Sequence, residues 1–435
     1  MNRRRVVVTG MGALTPLNTE HSAIEDLVEE FWEKLIIGTN AVQKIENSER
    51  IDLAGFPVDI GALIKFDVAQ YMGKSKVFDK RKEINQTDPF VKYAFVATHA
   101  ALMDAGLLNY ENKERVGVIV GTGVGGLSII EEQKIRLLEK GPLKVHPLTV
   151  PMIMVNAASG NIAIKYGFVG PNYDTSSACA SAAHAIYTSL LNILAGKADI
   201  MITGGSECAV TPLGYAAFSN IRALSRNPDP ETASRPFDKN RDGFIIGEGA
   251  GILVLEELEH AKKRGAKIYA ELLSAYANCD ANHITAPRED GKQIKRAMKS
   301  ALTEAKLTPE QVGYVSAHGT STQYNDLVEA QAIIDVFGEH SFNGLLVSSI
   351  KSMIGHLIGA AGSVQAIASI LSLNYGIVPP TIHYNTPDPE LADKKGRQLD
   401  YVANEAKKTN LEAVMSNSLG FGGPNCVLVF GKPLE

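Results

Sequence analysis

The chain has 435 residues, 45% hydrophobic and 21% charged, with 43 basic and 48 acidic side chains for a net charge of −5. That length predicts two domains or a duplicated fold rather than one simple core, and the near balance of charge excludes a globally basic surface for nucleic acid. Four scattered cysteines, Cys179, Cys208, Cys279 and Cys426, form neither a disulfide framework nor a CxxC zinc spacing, so no metal and a reduced, cytoplasmic setting are expected.

From the N-terminus, basic residues run into Val6–Gly10, too short for a signal segment and suited to a first strand over Val6–Val8. Asn18–Gly38 carries Ile24, Leu27, Val28, Phe31, Trp32 and Leu35 on one side, the pattern of an amphipathic packing helix. Lys74, Lys76, Lys80, Arg81 and Lys82 form a basic cluster that reads equally as a solvated loop and as a docking patch for an acidic partner. A helix is predicted over Phe90–Ala105 and a strand over Val116–Val120. The glycine run Gly121–Gly126 then lacks the spacing of a dinucleotide loop and supports a nucleotide site only weakly.

At Asp174–His184 an extended run enters a helix of small side chains, predicted over Ala182–Ala195, with Cys179 at the junction. Unpaired N–H groups and the helix dipole favour a thiolate there, and the small neighbours leave room for a substrate. The arrangement follows the logic of a nucleophile elbow with sulfur for oxygen. The other three cysteines suit packing roles. Strands at Ile200–Thr203 and Ile252–Leu255 flank Arg222–Gly247, a polar loop long enough to serve a site or an interface.

Beyond a helix at Lys292–Ala305 and a strand at Val312–Ser316, His318 opens a Gly/Thr loop. It is placed either as a catalytic loop residue or as a histidine satisfying turn carbonyls. Lys351 and His356 lie in the small, apolar run Ser348–Gly362, where a lysine is costly unless paired. Leu419–Asn425 sets an aromatic among glycines, a hinged gate, between strands at Val414–Ser416 and Val427–Phe430. No apolar run reaches the length of a membrane span.

Ala101–Leu107 is echoed by Ala301–Leu307, and Val116–Gly123 by Val312–Gly319, with small-residue helix starts and paired strands following in the same order. The chain therefore reads as two similar α/β halves, residues 1–262 with the cysteine and 263–435 with both histidines.

Together the motifs resemble the β-ketoacyl-acyl-carrier-protein synthases, most like those of bacterial type II fatty acid synthesis. The matching stretches include Ala178-Cys179-Ala180-Ser181, Arg235-Pro236-Phe237-Asp238, Gly247-Glu248-Gly249-Ala250-Gly251, His318-Gly319-Thr320-Ser321-Thr322 and Lys351-Ser352-Met353-Ile354-Gly355-His356. The resemblance spans nearly the whole chain, from Val6–Gly12 to Ser416–Gly423, and implies a thiolase-like α/β fold, a duplicated five-layered αβαβα sandwich. It implies that Cys179 takes an acyl group, and that His318 and His356 hold the malonyl thioester oxygen as CO2 leaves. Lys351 would act structurally or electrostatically, and the N–H groups of Cys179 and Phe421 would form the oxyanion hole. Thr320 and Thr322 would contact the pantetheine arm, Phe421 would gate the acyl pocket, Phe218 would line it, and Val124 would tune chain length. No cofactor is implied, because the phosphopantetheine arm arrives on the acyl carrier protein, acyl or malonyl; a homodimer is implied as well.

Departures from the family pattern are Gln365 in place of a glutamate paired with the lysine, Gln323–Asn325 after the threonines, Pro424 in the gate and Ala182 after the nucleophile. They are compatible with a divergent fatty acid synthase or with a ketosynthase of a polyketide or polyene pathway. A thiolase would need a second catalytic cysteine, for which Cys426 is the only candidate and is poorly set. A non-catalytic chain-length partner would lack the nucleophile.

Overall fold

In the computed structural model, which describes residues 4–46, 51–75 and 77–433, the two halves share a core order of β-α-β-α-β-α-β-β, to which each adds helices of its own. The first half runs β1 (Val6–Leu14), α1 (Leu27–Ile36), α2 (Pro89–Asp104), β2 (Val116–Gly121), α3 (Leu127–Lys140), α4 (Ala157–Tyr166), β3 (Asn172–Tyr173), α5 (Ser181–Leu194), β4 (Ile200–Glu207), α6 (Pro212–Asn220) and β5 (Gly249–Glu257). The second runs β6 (Ala270–Cys279), α7 (Lys292–Ala305), β7 (Val312–Ser316), α8 (Gln323–Phe337), β8 (Leu346–Ser348), α9 (Lys351–Ile354), α10 (Ala361–Tyr375), β9 (Ala413–Leu419) and β10 (Pro424–Gly431).

The strands form one ten-stranded sheet, β8-β7-β9-β10-β6-β1-β5-β4-β2-β3. Read outward from its centre, each side repeats the other: two antiparallel steps, then two parallel ones. Within the sheet the halves meet where Val7 pairs with Glu271 and Val8 with Ala270.

Helices divide the sheet faces into layers. α2 and α4 cover the first half, with Phe90, Phe95 and Ile162 in that core. α7 and α8 build the core of the second half with Ile294, Met298 and Ile333. Between the halves lie α5 and α10, touching strands of both, with Ile186, Val364 and Ile367 buried there. The result is the αβαβα sandwich that the family resemblance implied, in agreement with the repeat.

The strands β4, β5, β9 and β10 run longer than the sequence reading expected, and two further boundaries differ for reasons visible in the packing. β1 runs to Leu14, through Gly10 and Gly12, because these glycines admit α2: a Cβ on Gly12 would stand 2.0 Å from the Ala97 carbonyl oxygen. The helix expected from Asn18 starts at Leu27, after a short 3₁₀ turn at Ile24–Asp26. Asn18 instead staples the preceding loop, accepting from the Thr15 N–H at 2.8 Å and donating to the Leu27 carbonyl at 2.9 Å. The glycine run after β2 holds no open anion nest. The Glu207 carboxylate fills it, accepting from Gly123 N–H at 2.6 Å and the Thr122 hydroxyl at 2.9 Å.

Candidate active site

Cys179 sits two residues before α5, on an elbow made by Ala178, whose φ of 51° is left-handed and costly for a side chain. Ser181 holds this bend: its hydroxyl donates to the Ala178 carbonyl at 2.6 Å and accepts from the Ser177 N–H at 2.9 Å. Gly420 presses against the elbow, and a Cβ there would lie 2.7 Å from the Ser177 carbonyl oxygen. The backbone groups of Phe421 and of Cys179 itself lie close enough to the sulfur to favour its thiolate. Ala182 fits because Gly205, whose own Cβ would stand 2.6 Å from that of Ala182, faces it.

His318 follows β7 and is set by a carboxylate behind it. Glu329 on α8 accepts from the N–H groups of His318 and Gly319, both at 2.8 Å. One turn earlier on the same helix face, Asp326 accepts from Thr320 N–H at 2.9 Å and Ser321 N–H at 3.1 Å. These two buried carboxylates fix the loop that offers His318, Thr320 and Thr322. The sequence reading missed both, although their i, i+3 spacing just after the His-Gly-Thr motif is a signal in retrospect.

His356 lies between α9 and α10. Its N–H donates to the Ile245 carbonyl at 2.7 Å, and its Nδ1 accepts from Ile358 N–H at 3.2 Å. With Nδ1 as acceptor, a neutral ring carries its proton on Nε2. That Nε2 is buried with no protein partner, so it is a free donor. The His318 and His356 rings meet edge to face at 5.4 Å, and Phe244 packs on His356 at 5.2 Å.

The donor atoms of Cys179, His318 and His356 all lie within 4.8 Å of one another, the only such trio among the described residues. They open on a cavity of ≈340 Å³ that is also lined by Phe218, Phe244, Thr320, Thr322, Asn325 and Phe421. Lys351 stands behind it, fully buried, donating to the His318 carbonyl and to Gln365 Oε1, each at 2.6 Å. Gln365 in turn donates to the Ala317 carbonyl at 2.9 Å. Val124 does not line the cavity; like Phe218, it packs against a neighbouring apolar cluster. Of the basic cluster, neither Lys74 nor Lys82 lines it. Lys74 and Lys82 are exposed, while Lys76 and the side chains of Lys80 and Arg81 lie outside the described residues.

Burial dominates the protonation of the site. It pushes the Cys179 thiol up to about 11, against the pull of the Lys351 ammonium and the two N–H groups. The dipole argument from sequence is thus outweighed by desolvation. Burial, then the Lys351 charge, hold His318 and His356 well below the ordinary histidine range, so both are neutral at pH 7. Burial also brings Lys351 down to about 8, opposed by Glu329. Glu207, behind the elbow, is pushed up to about 7 by burial. A thiol beside two neutral imidazoles, with two N–H groups converging on it, can form a thioester and stabilise oxyanions without a strong acid nearby.

Cys426 is no second nucleophile: it is buried in β10 against the central layer and its thiol is pushed far up. No helix among the described residues is long and apolar enough to cross a membrane.

Two family descriptions cover most of the chain: Beta-ketoacyl synthase, N-terminal domain, over residues 3–261, and Beta-ketoacyl synthase, C-terminal domain, over residues 269–385. The chain is 46% identical to the 3-oxoacyl-[acyl-carrier-protein] synthase 2 of Vibrio harveyi over 438 aligned positions, covering 100% of both chains. It is 44% identical to the protein of that name from Synechocystis, covering 99% of each. Among solved structures, it superposes with TM-score 0.87 and 33% identity on a type II polyketide ketosynthase bound to its acyl carrier protein, covering 100% of both chains. A β-ketoacyl synthase from Burkholderia phymatum gives TM-score 0.86 at 34% identity, covering 99% of this chain and 100% of that one.

Proposed function

The chain belongs to the β-ketoacyl synthase family, and we propose that its Cys179–His318–His356 cavity carries out the decarboxylative condensation that elongates fatty acyl chains on acyl carrier protein. The observation that carries this reading is the convergence of one thiol and two neutral imidazoles within 4.8 Å.

In the first half-reaction the Cys179 sulfur attacks the acyl thioester. The carrier thiol leaves with the proton, and an acyl-Cys179 thioester remains. The oxyanion of that step lies where the N–H groups of Phe421 and Cys179 already converge. Malonyl carrier protein then enters, its arm against Thr320 and Thr322. His356, donating through Nε2–H, and His318 hold its thioester oxygen. The C–C bond to the carboxylate breaks, CO2 departs, and the electron pair becomes an enolate. Neutral imidazoles stabilise that enolate by hydrogen bonds without protonating its carbon. The carbon attacks acyl-Cys179, and the sulfur leaves as the thiolate beside charged Lys351.

Phe421 gates the cavity and Phe218 lines it; Val124, packed against the same apolar cluster as Phe218, tunes chain length. Lys74, Lys76, Lys80, Arg81 and Lys82 form a docking patch for the acidic carrier. The units are residues 1–262 and 263–435, and the phosphopantetheine arm of the carrier is the only non-protein group the reaction uses. A homodimer is supported by exposed Ile164 and Val169 shortly before the edge strand β3, whose free side a second copy can cover, and a cytoplasmic setting by the four free cysteines. The polyketide alternative is not favoured: the fatty acid synthases are 44% and 46% identical, against 33% for the polyketide ketosynthase. The non-catalytic alternative fails on the intact nucleophile.

The test is intact-protein mass spectrometry after incubation with acyl carrier protein bearing a defined acyl chain. The wild type should gain one acyl mass and Cys179→Ala none. Acyl transfer that survives in Cys179→Ala would refute the assignment.

A further inference from the structure

Helix α7 buries Ile294, Ala297, Met298, Ala301 and Leu302 and turns Lys292, Lys295, Arg296 and Lys299 to its open side. Cations three and four residues apart repel one another on a helix face. They also crowd the first two turns, where the helix dipole disfavours positive charge. Lys295 is offset by Asp335 on α8 at 3.0 Å. Lys292, Arg296 and Lys299 are exposed and have no carboxylate partner among the described residues. The fold therefore carries an uncompensated cationic face that contributes nothing to its own stability.

The position of this face is specific. The groove of Lys292, Lys295, Arg296 and Lys299 shares Asp290 with a second hollow, lined by His283, Arg288 and Tyr324. That hollow shares Ala286, Pro287 and Tyr324 with the Cys179 cavity. A concave path thus leads from the cationic face to the mouth of the active site. Glu289, Asp290 and Asp335 are interspersed along it, which opposes a continuous polyphosphate chain but suits a folded acidic protein with discrete charges.

We propose that the Lys292–Arg296–Lys299 face of α7 is a docking surface for the acidic acyl carrier protein, separate from the Lys74–Lys82 cluster. The proposal rests on the condensing-enzyme reading for the identity of the partner. Its test is the Kd of fluorescently labelled holo carrier protein, measured by anisotropy at low and high salt, for wild type and for the triple variant Lys292→Glu, Arg296→Glu, Lys299→Glu. Binding should weaken by about tenfold at low salt, and the difference should shrink at high salt. The charge-neutral triple glutamine variant should fall between, and turnover of small N-acetylcysteamine thioesters should be unchanged, reporting an intact site. An unchanged Kd in the folded variants overturns the proposal. So does an unchanged Kd accompanied by loss of binding to phosphatidylglycerol–phosphatidylcholine vesicles, which would make the face membrane-directed. Because Kd is read without turnover, tight carrier binding by a wild type that makes no product would sink the catalytic reading and leave the docking claim standing.

Discussion

Cys179 lies between opposing influences, and their balance decides how the nucleophile rests. Burial favours the neutral thiol, while Lys351 and the N–H groups of Phe421 and Cys179 favour the thiolate. Lys351 is effective because both its strong acceptors, the His318 carbonyl and Gln365 Oε1, are uncharged. It stays protonated at pH 7 and loses its charge as pH rises through about 8. Alkylation of Cys179 by iodoacetamide should therefore be slow at neutral pH and climb as the thiol ionises, with no plateau near pH 7. Gln365→Glu, which puts a carboxylate on Lys351, should slow alkylation and acylation at pH 7 several-fold; equal or faster rates would show that Lys351 does not act on the sulfur. The cysteine and both histidines were legible because each sits where a strand or elbow meets small residues. Glu207, Asp326 and Glu329 were not, since burial is what separates them from ordinary surface acids, and burial is settled by distant packing.

At the scale of the element, α8 acts as a bracket. Its Glu329 and Asp326 satisfy four backbone N–H groups of the 318–321 loop, which otherwise would be buried unpaired. Glu329→Ala strands two of them and should lower stability by about 3 kcal/mol in urea unfolding. It should also reduce decarboxylation, because the His318 backbone loses its anchor; unchanged stability and turnover would refute the bracket. The strands and most helices were readable from their periodicity. β1 was read short because Gly10 and Gly12 weaken a strand signal, although they serve close packing against α2. The first helix was read long because its apolar stripe begins before Asn18 has finished closing the loop.

At the scale of the whole molecule, duplication is what assembles the chemistry. The first half brings a thiol to the start of α5, and the second brings an imidazole to each of two loops around α8 and α10. The matched strand orders place those ends at one cavity. The repeat was visible in the sequence as preserved order, whereas the short β1–β6 seam was not, since only two residue pairs define it. On the proposed mechanism the reaction needs both halves: acylation joins Cys179 of the first to Phe421 and Lys351 of the second, and decarboxylation draws on His318 and His356 of the second. The most direct measurement is a single-turnover reaction of pre-acylated enzyme with malonyl carrier protein, following CO2 and carrier-bound product together. The account predicts one CO2 and one β-ketoacyl chain, two carbons longer, per acyl-enzyme in the wild type. It predicts loss of both in His318→Ala and His356→Ala while the acyl-enzyme persists. Full product formation by either histidine variant, or CO2 release without chain extension by the wild type, would contradict it.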